Sequence, residues 1–151
     1  MIYWTDLYLL HDVSDAAIVS AVASALRVGP GAVAVGAFGT PLGIDTGPEP
    51  TVIVKRQDLR RFGEGGSWPV ELSISIDGHA PEHELATLRA IAAGLATPFI
   101  VNLTDDGQDM FRLVMPDGYA PARLLNDDDE PELTIDDHQR LARYTQAVHA
   151  A

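Results

Sequence analysis

The sequence predicts an α+β domain: two βαββ-like halves forming a largely antiparallel or mixed sheet, helices packed on one face of it, and a C-terminal helix. Three observations carry this. Two broad apolar stripes and one narrow stripe recur at helical spacing. Between them lie short apolar or alternating runs of strand length. The elements follow each other as strand, helix, strand, strand, twice over, so each helix crosses the sheet before the chain returns to it. A chain of 151 residues fits one domain, which buries about 68–70% of its unfolded surface and needs no disulfide or structural metal.

The elements are justified in turn. Residues 2–10 read as a strand with a bend or an edge position near Asp6. The first helix spans 15–27: Ser14 is its N-cap, Ile18, Val22 and Leu26 form its stripe, and Gly29-Pro30 ends it. Residues 32–37 and 51–55 are short apolar runs of buried-strand type. Residues 70–77 alternate apolar and polar without a break, the mark of a strand with one wet face. The second helix spans 82–96, with Pro81 in its first turn, Glu82 and Glu84 favouring its N-terminus, and Leu85, Leu88, Ala92 and Leu95 on one face. Residues 99–103 form another buried strand. In 110–115, Phe111, Leu113 and Met115 face one way and Arg112 the other. Residues 122–125 make a last short strand. The third helix spans 134–149 and opens on Thr134-Ile135-Asp136-Asp137, a capping box with Asp in the Glu/Gln place. Leu141, Tyr144 and Val148 are its apolar stripe. The whole is one domain, 1–151, with pseudo-repeat halves at 1–62 and 68–125 joined through a glycine-rich stretch at 63–67.

Charge narrows the partners. The formal net charge is −12, and Asp127, Asp128, Asp129, Glu130, Glu132, Asp136 and Asp137 crowd one short segment. Such a field repels nucleic acid and anionic membrane and attracts basic partners. The chain has no cysteine, which removes disulfides, thiol nucleophiles, Cys-ligated zinc and iron–sulfur clusters together. No apolar run reaches the ~18–20 residues of a membrane span, and the apolar start lacks a basic n-region and is interrupted by Asp6. A cytoplasmic protein is the expectation.

The motifs offer little catalytic chemistry. Asp105-Asp106-Gly107-Gln108-Asp109 is turn chemistry between two strands. His79 and His83 have the i, i+4 spacing of zinc ligands, but Pro81 stands between them and the glutamate follows the second histidine. His11, His138 and His149 are isolated. The loop at 36–50 is rich in Gly and Pro, yet it has no Gly-Lys-Ser/Thr and leads into a strand, so it is not a phosphate loop. Neither a cofactor nor a metal is expected, and no residue is assigned a catalytic role. Lys55, Arg56, Arg60 and Arg61 form one basic cluster, read first as a solvated sheet end and otherwise as a pairing with the acidic tail, within this chain or between partner chains, rather than as a nucleic-acid site.

The acidic segment admits three readings: a solvated loop before the last helix, a surface that docks a basic protein, or a divalent cation site. The last lacks the spacing and glycine of a tight Ca²⁺ loop. Trp68 either caps the core or stands out as an aromatic anchor. The function expected is that of an acidic protein-binding module, an immunity or inhibitor protein of bacterial type that neutralises a basic toxin such as a nuclease. Its partner-binding residues are Asp127, Asp128, Asp129, Glu130, Glu132, Asp136, Asp137 and Trp68. A small-ligand-binding domain with a cleft between the two halves is the alternative, and a metal-assisted enzyme the third. Oligomeric state is open.

Overall fold

A computed structural model of the chain describes residues 2–38, 51–59, 68–105, 108–125 and 131–150. In chain order the elements are β1 (Ile2–Leu9), α1 (Asp15–Leu26), β2 (Val33–Ala37), β3 (Val52–Asp58), β4 (Val70–Ile76), α2 (Glu84–Leu95), β5 (Phe99–Asp105), β6 (Gln108–Val114), β7 (Ala122–Leu124) and α3 (Ile135–Ala150). The fold is α+β, and every helix and strand expected from the sequence is present.

The strands form one seven-stranded mixed sheet in the order β2-β3-β4-β1-β5-β6-β7. All neighbours are antiparallel except β2 and β3, which run parallel. The four strands β3-β4-β1-β5 with α1 and α2 are two interleaved split βαβ units, the ferredoxin-like arrangement. The two halves share their order of elements but not their placement. After α1 the chain runs to the sheet edge as β2 before β3 fits inside it, whereas after α2 it enters beside β1 and β6 follows by a hairpin.

Local chemistry explains the boundaries. Ser14 Oγ accepts from the Ala17 N–H at 3.1 Å and starts α1. Its end comes at Arg27, which takes the left-handed conformation (φ 58°), so the chain turns before Gly29-Pro30 is reached. α2 begins later than the sequence predicts, at Glu84, with His79 ahead of it. Strand β1 is central and not an edge. Its irregularity lies between Tyr3 and Thr5, a short way before Asp6, which sits in regular register with Ser73.

Alternation along the strands divides the core in two. Leu7, Leu9, Val52, Val54, Leu72, Ile74, Phe99, Val101 and Val114 point to α1 and α2 and pack on Ile18, Val22, Leu88 and Ile91. Ile100, Leu113 and Met115 point the other way and pack with Trp68 on Leu141 of α3. The two crossover helices therefore share one face, and the C-terminal helix covers the β5–β6 part of the opposite face. No helix among the described residues is long and apolar enough to cross a membrane.

Candidate functional site

The residues flanking the acidic run meet at one corner of the fold, beside the start of α3. Leu125 and Pro131 pair as an antiparallel bridge, and the Glu132 N–H donates to the Leu124 carbonyl at 2.8 Å. The chain thus leaves β7 and returns to it before entering α3. Asp127, Asp128, Asp129 and Glu130 lie outside the described residues, as do 39–50, Arg60, Arg61, the glycine-rich stretch at 63–67 and residues 106–107, on which the expected turn falls.

Asp137 fixes this corner from inside. Thr134 and Asp137 form the capping box read from the sequence: the Asp137 N–H donates to Thr134 Oγ1 at 3.1 Å, and the Thr134 N–H donates to Asp137 Oδ2 at 2.9 Å. The same carboxylate takes a bidentate pair from Arg123, with Nε to Oδ2 at 2.7 Å and Nη2 to Oδ1 at 2.9 Å. Tyr119 adds its hydroxyl, donated to Oδ1 at 2.7 Å. The Asp137 side chain is 0% exposed. Burial by itself would raise its pKa; the hydrogen bonds from Arg123, Thr134 and Tyr119 prevail and hold it well below the usual carboxylate range. The bond to Asp137 also raises the pKa of the Tyr119 phenol.

That geometry corrects one expectation. Asp137 does not belong to an outward acidic surface, because its carboxylate is buried and all its acceptor capacity is directed to the fold. Trp68 is corrected as well: at 7% exposure it lies in the second core cluster and is not a surface anchor. Glu132 and Asp136 do face solvent. Asp136 pairs with Arg140 at 3.0 Å, and Arg140 also reaches Asp117 at 3.5 Å while stacking 4.0 Å from the Tyr119 ring centroid.

Two residues were missed in the sequence. Ile135 is 79% exposed and Leu124 is 48% exposed, and they flank the acidic run on either side. The signal for Ile135 was present, since it lies out of phase with Leu141 and Tyr144 on its own helix. Leu124 carried none, because a three-residue strand gives too little alternation to assign a face.

The other motifs resolve differently. Asp105 pairs with Gln108, the last pair of the antiparallel β5–β6 register. Arg56 pairs with Asp15 at 3.0 Å and Asp12 at 3.6 Å and donates to the Val13 carbonyl at 2.6 Å. It therefore ties β3 to the start of α1 and not to the acidic tail. Among the described residues no group of three or more His, Asp or Glu side chains is placed to hold a metal ion. Comparison with models of protein families, with curated proteins and with solved structures finds no match to this chain.

Proposed function

We propose that this chain is an acidic protein-binding module, an inhibitor of the immunity type that neutralises a basic toxin such as a nuclease. The observation that carries the reading is the composition of one corner. An acidic run starts and ends at the Leu125–Pro131 bridge. Beside it stand the exposed carboxylates of Glu132 and Asp136 and the exposed apolar side chains of Leu124 and Ile135. Apolar side chains left in water beside clustered charge have the makeup of an interface, with a small apolar centre and a charged rim. In this reading Asp127, Asp128, Asp129 and Glu130 take the places of substrate phosphates in a cationic cleft. Their field speeds capture, and Ile135 and Leu124 supply the buried contact. The Asp137–Arg123–Tyr119 network supports the role without touching the partner, by holding the start of α3 in place under the corner.

The test is affinity capture from native cell extract at low and at high salt, comparing the wild-type chain with one carrying Asp127→Asn, Asp128→Asn, Asp129→Asn and Glu130→Gln. The expected result is one basic protein retained by the wild type at low salt, released more readily from the substituted chain, and inhibited in its own activity by stoichiometric wild-type protein. Equal retention by both chains, or a retained protein whose activity is unaffected, overturns the proposal.

A further inference from the structure

The dipeptide Asp-Gly occurs at Asp77-Gly78, Asp106-Gly107 and Asp117-Gly118. Glycine has no Cβ to crowd its amide nitrogen, so that nitrogen can close a five-membered ring on the preceding carboxyl. Asp106-Gly107 lies outside the described residues. The other two pairs differ in what holds them.

At Asp117-Gly118 both reacting groups are occupied. The Gly118 N–H donates to the Met115 carbonyl at 2.9 Å. Asp117 Oδ1 accepts from the Tyr119 N–H at 3.0 Å, and Oδ2 lies 3.5 Å from Arg140. Asp77-Gly78 directly follows β4 and is held by nothing comparable. Both of its residues are exposed. Among the described residues neither the Asp77 carboxylate nor the Gly78 N–H has a hydrogen-bond or ion-pair partner. Gly78 has φ 98°, and no atom lies within 4 Å of the place a Cβ would take. The nitrogen therefore has open space around it, and the backbone can turn it onto the carboxyl at little steric cost.

We propose that Asp77 is a site of spontaneous backbone isomerisation to isoaspartate, and that the fold directs this chemistry to Asp77 while shielding Asp117. The Gly78 amide nitrogen gives its proton to solvent and bonds to Cγ of the protonated Asp77 carboxyl. The hydroxyl of that carboxyl departs as water and leaves a cyclic succinimide. Water then adds to one of the two ring carbonyls. Breaking the bond from nitrogen to Cγ regenerates aspartate; breaking the bond from nitrogen to the main-chain carbonyl carbon gives isoaspartate. Isoaspartate carries one extra main-chain carbon and a relocated carboxylate. The Asp77 N–H donates to the Thr51 carbonyl at 2.7 Å, so the change falls on the join between the end of β4 and the start of β3. The site is separate from the acidic corner and stands or falls independently of the inhibitor reading.

The experiment incubates the full chain for weeks at mildly acidic pH, with and without denaturing urea, and follows its tryptic peptides by chromatography and mass spectrometry. Residues 62–89, 90–112 and 113–123 are separate tryptic peptides, each holding one Asp-Gly. In the native chain, peptide 62–89 should gain a form lighter by one water and a form of unchanged mass but altered retention. Both should accumulate about tenfold faster than in peptide 113–123, whose Gly118 N–H and Asp117 carboxylate must first be released. In urea the two peptides should react at similar rates, because the fold and not the dipeptide distinguishes them. Asp77→Glu, which keeps the charge and requires a six-membered ring, should abolish the new forms of 62–89 and leave 113–123 as it was. Equal native rates at the two sites, an unreactive Asp77 in the native chain, a difference that persists in urea, or new forms undiminished by Asp77→Glu would overturn the proposal.

Discussion

Asp137 shows how one side chain can serve a helix and a tertiary contact together. Its capping role was legible, because Thr134 and Asp137 have capping-box spacing. Its bonds to Arg123 and Tyr119 were not, because nothing local relates those residues to the start of α3. Replacing Asp137 with Ala leaves Arg123 without its carboxylate and the helix without half of its box. The expected cost is about 3–5 kcal/mol, checked by urea unfolding. The pH dependence follows from the depressed pKa of the folded carboxylate. Its stabilisation is fully present above the unfolded value of about 4 and is lost as pH falls from there through the lower folded value. The stability gap between wild type and Asp137→Asn should therefore begin to narrow as pH falls below about 4 and keep narrowing toward the lower folded value. A constant gap down to strongly acidic pH would show that the charge contributes nothing.

At the scale of elements, Gly94 makes a separate prediction. Valine there brings a branched Cβ against Ala21 and forces α1 and α2 apart, at an expected cost of about 1–3 kcal/mol. Adding Ala21→Gly should restore part of it, and a double-mutant cycle measures how much. The placement of the helices was partly written in the strands. Val70–Ile76 alternates strictly and has α1 and α2 on its apolar face alone. Phe99, Ile100 and Val101 are apolar without alternation, and both faces of that strand are covered, by α2 on one side and the α3 cluster on the other. What the pattern could not reveal was the parallel pairing of β2 with β3, since a parallel pair leaves no turn signature and its connection is long.

For the whole molecule, a net charge of −12 has two opposed consequences. Like charges repel within the compact state, so added salt should raise the melting temperature, and the chain with its four acidic-run residues amidated should melt above wild type at low salt. A melting temperature indifferent to both changes would show that these charges do not strain the fold. The charge content and its crowding were read directly from the sequence. The corner on which it converges was not, because it depends on the Leu125–Pro131 bridge and on the outward turn of Ile135. If the acidic run exists for capture, its cost in stability is offset by association speed. The rate at which the retained basic protein associates, followed by stopped flow across a range of ionic strength, tests that claim most directly. The account predicts a rate that falls about tenfold or more from low to high salt, with most of the fall lost in the amidated chain. A rate insensitive to salt, or identical for the two chains, would contradict it.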